Sequence, residues 1–85
     1  MKNKVLVSVY AVNIDEHYDI YVPINYTIGQ MTDLIYTTIK KLSDSNLKLK
    51  NNYSLLDAEK GDFYNFDTLV SDTDIRNGKK FIIFC

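Results

Sequence analysis

One helix signal, in residues 27–42, constrains the fold of this chain more than any other feature of its sequence. Thr27 and Gln30 fit a capping box, which predicts that the helix begins at Ile28 and runs to about Leu42. Apolar residues recur at helical spacing and line one face, and the residues around this segment have strand or loop patterns. We therefore expect the helix to lie on a sheet. The apolar face consists of Ile28, Met31, Ile35, Ile39 and Leu42, widened by Leu34 and Thr38.

Two strands are predicted before the helix, in residues 4–12 and 18–24, and residues 13–17 form the hairpin loop between them. Alternation along the first strand turns one set of side chains toward the helix and the other away from it. In the second strand, Tyr18, Ile20 and Val22 should face the core. The inward set of the first strand is Val5, Val7, Val9 and Ala11, and the outward set is Leu6, Ser8, Tyr10 and Val12.

The part of the chain after the helix predicts further strands. Residues 47–50 are either an extended segment or a short strand, and residues 53–58 are a strand with Leu55 or Leu56 turned inward. Residues 63–66 predict a short aromatic strand, and residues 71–75 a short helical turn capped by Ser71. Asn77-Gly78 predicts a tight turn before the last strand, residues 80–84. This strand turns Ile82 and Phe84 outward if Phe81 and Ile83 point inward.

These elements predict an α+β protein with a β-grasp fold, a mixed sheet of four to five strands wrapped around one helix. The first and last strands are strongly apolar, so we expect them to pair in parallel at the centre of the sheet. The 85 residues suffice for one domain, which we expect to cover residues 1–85. The alternative, a ferredoxin-like sandwich, needs a second long helix that the sequence does not show.

Composition narrows the function classes. The formal net charge of −1 gives no overall field that favours nucleic acid or an anionic membrane. The single cysteine, Cys85, excludes a disulfide within the chain. The sequence has no signal-peptide pattern and no apolar run near the ~20 residues that span a bilayer. These features predict a cytoplasmic protein.

The segment Val70-Ser71-Asp72-Thr73-Asp74-Ile75 resembles the Leu-Ser-Asp-x-x-Ile stretch of ubiquitin, although Val70 replaces the usual Leu. The opening hairpin and the Thr27-Ile28 start of the helix also match. The ending Ile-Arg-Asn-Gly-Lys-Lys-Phe-Ile-Ile-Phe of residues 75–84 is similar to that of the YukD/EsaB family, small ubiquitin-like accessory proteins of type VII (ESX/WXG100) secretion in Gram-positive bacteria. The resemblance implies a bacterial accessory or regulatory protein that docks on cytosolic parts of the secretion membrane complex.

The C-terminus bears on the alternatives within this resemblance. Ubiquitin and the sulfur-carrier proteins act through a tail that ends in Gly-Gly, whereas this sequence ends in Phe84-Cys85. The resemblance therefore implies that the chain is not conjugated to other proteins. An adaptor outside secretion, or a degenerate relative of the modifiers and sulfur carriers, remains the alternative.

Catalytic residues are difficult to find in this sequence. His17 has no second His and no Cys near it to complete a ligand set, and Cys85 has no activating partner. The spacing of the acidic residues does not match a calcium-binding loop, so we interpret them as turn and cap residues. We expect a non-enzyme without a cofactor or metal. These acidic residues are Asp57, Glu59, Asp62, Asp67, Asp72 and Asp74.

The predicted outward side of the sheet is unusually apolar for a solvent face. Exposed apolar patches of several hundred square ångströms mark interaction sites, and the resemblance to ubiquitin implies recognition through this same face. We expect it to bind another protein or a second copy of this chain. The predicted surface consists of Leu6, Tyr10, Val12, Tyr21, Ile82 and Phe84.

A basic cluster at and after the helix end is the second candidate surface. With Tyr36 and Tyr53 it resembles a basic-aromatic patch for nucleic acid, but the near-neutral charge and single Arg argue against that partner. The cluster consists of Lys40, Lys41, Lys48 and Lys50.

Overall fold

Four strands and one α-helix form the fold in the computed structural model, which describes residues 3–43 and 54–84. Short 3-10 turns follow the first strand, at Val12–Ile14, and precede the last strand, at Val70–Asp72. The predicted extended segment at residues 47–50 lies outside the described residues. The elements in chain order are β1 (Lys4–Ala11), β2 (Glu16–Pro23), α1 (Ile28–Leu42), β3 (Ser54–Asp57) and β4 (Lys79–Phe84).

The sheet has the strand order β2-β1-β4-β3. β1 pairs with β2 in antiparallel fashion, β4 pairs with β3 in the same way, and β1 and β4 are parallel neighbours. The predicted parallel pairing of the first and last strands at the sheet centre is therefore confirmed. A mixed sheet of four strands with one helix is the predicted α+β, β-grasp architecture.

The capping box fixes the start of α1. Thr27 Oγ1 accepts a hydrogen bond from Gln30 N at 3.2 Å, and Gln30 Oε1 accepts one from Thr27 N at 2.9 Å. Two of the backbone N–H groups that a helix start leaves free are thereby satisfied. At the other end, Ser43 N donates to Ile39 O at 2.8 Å, so the helix ends after Leu42, as predicted.

The core lies between α1 and the facing side of the sheet. The helix contributes four of its apolar residues, Ile28, Met31, Ile35 and Ile39. The predicted membership of Leu42 is wrong: this last residue of α1 is exposed, because none of the described residues covers it. The largest buried contributions from the rest of the chain are Phe81, Ile75, Val7, Val9, Val22 and Val70.

The aromatic strand predicted at residues 63–66 is also wrong. This segment is an irregular loop that lies across the start of α1. Gly29 N donates to Phe66 O at 3.0 Å, and Ile28 N donates to Thr68 O at 2.9 Å. The loop carbonyls thus satisfy the helix terminus instead of a strand partner, and Phe63 remains exposed.

Two smaller boundaries differ from the predictions. The helical turn predicted at 71–75 is the 3-10 turn Val70–Asp72; Leu69 precedes it and no side chain caps it, so Ser71 is not a cap. The first hairpin is tighter than predicted, because Asp15 adopts a left-handed conformation with φ 52° and closes the turn there. Consequently His17 lies in β2 instead of in a loop.

Candidate interaction surface on the outer face of the sheet

The outer face is the side of the sheet turned away from α1. Phe81 and Ile83, the residues assumed to point inward, are buried, which leaves their neighbours on β4 pointing outward. The predicted surface residues Leu6, Tyr10 and Ile82 are half-buried on this outer face. The more exposed members of the predicted surface are Val12 at 46%, Tyr21 at 52% and Phe84 at 38% relative exposure.

The strand register places one row of large side chains across all four strands. Tyr10 on β1 is paired with His17 on β2 and with Ile82 on β4, and Ile82 is paired with Leu56 on β3. We call these four residues the cross-sheet row. A depression of about 420 Å³ lies beside three residues of this row, Tyr10, His17 and Ile82; its other lining residues are Ser8, Ala58, Lys80 and Phe81.

Leu56 was not among the predicted surface residues. The sequence left two choices, because Leu55 and Leu56 are adjacent and equally apolar. In the structure Leu55 is buried and Leu56 is half-buried on the outer face, with the register of β3 against β4 deciding between them. Which of the two residues faces the core is therefore known only when the pairing of β3 with β4 is known.

A polar row runs parallel to the cross-sheet row, two residues closer to the start of β1. It consists of Asp19, Ser8 and Lys80, which are paired through Ser8. On the other side of this polar row, Leu6 is paired with Tyr21. The predicted surface is therefore divided into two apolar parts, with Val12 displaced from the strand into the following 3-10 turn.

Tyr10 and His17 form the aromatic end of the cross-sheet row. Their rings stack with centroids 4.5 Å apart at 27°. The Tyr10 hydroxyl donates to Asp15 Oδ1 at 2.7 Å, and this hydrogen bond raises the pKa of Tyr10. The Asp15 turn thus holds Tyr10 against His17, so that His17 serves the face as a flat aromatic surface.

The second predicted surface, the basic cluster, is described only in part. Lys40 and Lys41 lie exposed in the last turn of α1, where their charges complement the helix dipole. Tyr36 packs against the core. Lys48, Lys50 and Tyr53 lie outside the described residues.

The structure also contains an ion-pair cluster that joins β3, β4 and the segment between them. The sequence did not predict it, because its acidic members were interpreted as turn and cap residues. Lys79 Nζ lies 2.8 Å from Asp57 Oδ2 and 3.4 Å from Asp74 Oδ2, and Lys60 Nζ lies 2.6 Å from Asp74 Oδ2. The Tyr64 hydroxyl is 3.1 Å from Asp57 Oδ2 and 2.8 Å from Asp74 Oδ1. Only the β3–β4 pairing and the loop geometry bring these five side chains together, so no sequence spacing reveals them.

Asp57 is the deepest member of the ion-pair cluster, with its side chain 1% exposed, and its partner Lys79 is 10% exposed. Burial acts to raise the pKa of Asp57, but hydrogen bonds from Lys79, the backbone N–H groups of Glu59 and Lys60, and Tyr64 outweigh it and lower this pKa to about 2. The hydrogen bonds from Lys60 and Tyr64 likewise lower the pKa of Asp74. Burial and the two carboxylates raise the pKa of Tyr64. The cluster therefore stays ionised and joins β3, β4 and the loop between them.

Within the described ranges, 3–43 and 54–84, His, Cys, Asp and Glu side chains form no group of three that could hold a metal ion. No helix in this described part of the chain has the length and hydrophobicity to cross a membrane.

No protein-family model matches the sequence, and no curated protein matches it either. Solved structures do share its fold. The ubiquitin-like domain of EccD5 from Mycobacterium xenopi is 15% identical over 94% of this chain and 91% of its own, with a TM-score of 0.67. The ubiquitin-like domain of EccD1, from the type VII secretion system of Mycobacterium tuberculosis, is 8% identical over 96% of this chain and 98% of its own, with a TM-score of 0.64.

The same fold also occurs in a quite different setting. A chain in the toluene 4-monooxygenase HD complex with the inhibitor 4-bromobenzoate is 6% identical over 95% of this chain and 96% of its own, with a TM-score of 0.74. Identities this low establish a shared fold and leave the function to other observations. From its strand order, its capped helix and these neighbours, the chain has the ubiquitin-like β-grasp fold.

Proposed function

We propose that this protein is a non-catalytic protein-interaction module of a type VII secretion system. It acts as a cytoplasmic accessory or regulatory component of the YukD/EsaB kind in a bacterium, and it docks on cytosolic parts of the secretion membrane complex. Two supports converge on secretion: the sequence resemblance in residues 70–84, and the fold shared with ubiquitin-like domains of EccD5 and EccD1.

The observation that carries the interaction role is the cross-sheet row. Its four residues are His17, Tyr10, Ile82 and Leu56, and they form a continuous line of large side chains on the side of the sheet that α1 does not cover. Removing such apolar surface from water stabilises a complex by roughly 25 cal/mol per Å² before the costs of association. A partner that covers this row therefore gains more than one that binds a charged surface of equal area.

The non-catalytic part of the proposal rests on where the ionisable groups lie. The carboxylates of Asp57 and Asp74 have lowered pKa values. Their oxygens accept hydrogen bonds from Lys79, Lys60 and Tyr64, so that the polar groups of the cluster bind each other. General acid–base chemistry needs a group with a pKa near the working pH that can reach a substrate. The pKa of Asp57, about 2, is far below that range.

A binding measurement tests the proposal. The purified chain is immobilised and presented with the detergent-solubilised type VII membrane complex of the same organism. We expect capture by the unaltered chain and at least about a tenfold loss with Tyr10→Glu or Ile82→Glu, since each substitution puts a charge into the buried centre of the interface. Thr37→Glu is the matched control, because it makes the same change of charge at an exposed position on α1.

The outcomes separate the two parts of the proposal. Circular dichroism and the denaturation midpoint establish that each variant remains folded. If both outer-face variants bind as well as the unaltered chain, the outer face is not the docking surface. If the unaltered chain itself fails to bind the membrane complex, the assignment to secretion is wrong.

A further inference from the structure

The polar row on the outer face is symmetric in position about Ser8 and has opposite charges at its two ends. Asp19 and Lys80 lie on either side of Ser8, one on β2 and the other on β4, and both are exposed. Their neighbours Ile20 and Phe81 are buried, which fixes the outward direction of Asp19 and Lys80. One acid and one base thus stand at matched distances from a central small residue.

Such a row is complementary to itself under one particular two-fold rotation. In this rotation the two outer faces are turned toward each other, and the axis runs between them, parallel to β1. β2 of one copy then lies over β4 of the other, with paired residues at the same position along the strands. Asp19 of each copy then faces Lys80 of the other, and Ser8 faces Ser8. A two-fold interface requires this kind of reciprocity, in which the contact made by one residue is repeated by its counterpart.

The neighbouring residues agree with the same axis. In the cross-sheet row, Tyr10 meets Tyr10 of the second copy, and His17 lies over Ile82, so that apolar and aromatic side chains cover each other. On the other side of the polar row, the bulky Tyr21 comes over the turn at Gly78, whose N donates to Leu6 O at 2.9 Å. An added Cβ at Gly78 would meet nothing within 4 Å, so that the turn leaves space for the Tyr21 ring.

The other in-plane axis, perpendicular to the strands, is disfavoured by charge. It would place Asp19 over Asp19 and Lys80 over Lys80 at the same row, and facing like charges are destabilising. Charge complementarity therefore favours the axis along β1 over the axis perpendicular to the strands. In the favoured arrangement both charged pairs lie in one row between two apolar parts of the interface, with the cross-sheet row on one side and Leu6 and Tyr21 on the other.

We propose that the outer face binds a second copy of this chain in a two-fold symmetric dimer, with the axis along β1 and reciprocal Asp19–Lys80 ion pairs. This inference rests on the proposed use of the outer face for binding and names the partner that covers it in the free protein. With the axis along β1, the strands β2, β1 and β4 of each copy overlap, and β3 extends beyond the contact. This overlap of three short strands places the interface at the low end of specific interfaces, under about 1,200 Å². The dimer is therefore weak and depends on concentration, and a secretion partner can displace the second copy.

Charge reversal across the axis provides the test. Asp19→Lys places a second ammonium group opposite Lys80, and Lys80→Glu places a second carboxylate opposite Asp19, so that each single variant has two repelling pairs in its own dimer. Mixing the two single variants gives a heterodimer in which one copy is acidic and the other basic at these positions, so that both pairs attract. The double variant restores two attracting pairs in its homodimer. Sedimentation velocity of the full chain over a wide concentration range measures each dissociation constant, against a monomer mass of 9.9 kDa.

We expect each single variant to dimerise at least about tenfold more weakly than the unaltered chain, and the mixture and the double variant to recover most of this loss. Asp67→Lys and Lys40→Glu are matched controls, because they make equal charge changes at exposed positions in the loop over the start of α1 and at the end of α1. These controls should dimerise like the unaltered chain.

Three results would overturn the dimer: an unaltered chain that stays monomeric at every concentration, single variants that associate normally, or a mixture that fails to recover. Each of them leaves the proposed function standing if the secretion complex is still captured and Tyr10→Glu still abolishes that capture. Normal self-association without capture by the secretion complex would instead reject the proposed function alone.

Discussion

At the scale of single residues, Asp57 shows how a charge is kept in an apolar position. It points inward from β3, where alternation with Leu55 would predict another apolar side chain. Its Oδ1 accepts from Glu59 N at 2.8 Å and Lys60 N at 3.1 Å, while Oδ2 lies 2.8 Å from Lys79 Nζ. A buried carboxylate is tolerated when it is paired and hydrogen-bonded in this way.

This arrangement predicts a specific dependence of stability on pH. The pKa of Asp57 is lowered from 3.8 to about 2 by folding. As the pH falls below about 4, the unfolded chain takes up a proton at this residue while the folded chain remains ionised there. The free energy of unfolding should therefore fall by about 2 kcal/mol between pH 4 and pH 2 on account of Asp57, and the lowered pKa of Asp74 acts in the same direction.

Urea unfolding at a series of pH values, with the Asp57→Asn variant beside the unaltered chain, measures this effect. The variant has no proton to take up at this position, so its stability should fall less steeply below pH 4. At neutral pH it should be less stable by about 2 kcal/mol, because Lys79 loses the nearer of its two carboxylate partners and keeps Asp74 at 3.4 Å. Asp67→Asn, at an exposed position, serves as the control. An identical acid slope in Asp57→Asn would contradict the assigned role of Asp57.

At the scale of elements, α1 was the most predictable part of the chain. Its start is encoded locally by Thr27 and Gln30, and its period is encoded by its own apolar residues, so that the observed helix agrees with the predicted one at both ends. The loop at residues 63–66 was not predictable in this way. Phe63, Tyr64 and Phe66 suggest a strand by their composition, but the partners of the loop backbone lie at the start of α1, far earlier in the chain.

Because the start of α1 depends on the capping box, Thr27→Ala should cost about 1 kcal/mol of stability. The substitution removes the acceptor for Gln30 N and leaves that N–H without its side-chain partner. Thr27→Ser keeps the hydroxyl and should remain within about 0.5 kcal/mol of the unaltered chain. Chemical denaturation compares the three proteins. Equal losses in the Ala and Ser variants would assign the effect of Thr27 to its methyl group instead of to the cap.

At the scale of the whole molecule, the strand order places some of the chain's aromatic and aliphatic residues in the core and others on the outer face of the sheet. Alternation along β1 predicted its inward residues, and the apolarity of β1 and β4 predicted their parallel pairing. The facing of β4 could only be assumed, because residues 81–84 are all apolar. The layout of the outer face was beyond the sequence, because the cross-sheet row and the polar row exist only through the register of the paired strands. The proposed match between the outer faces of two copies likewise depends on the register of three paired strands and is not encoded in any one of them.

Phe81 and Phe84 provide a matched test of this division, since they have the same side chain on the same strand. Phe81 is buried beneath α1 and contacts Tyr64 edge-on at a centroid distance of 6.1 Å, whereas Phe84 lies on the exposed side. Phe81→Ala should cost about 3 to 5 kcal/mol, because it leaves a cavity in the core beside the central parallel pair. Phe84→Ala should cost less than about 1 kcal/mol. Urea unfolding measures both losses, and comparable losses at the two positions would mean that the outer face is part of the folding core and is not kept free for a partner.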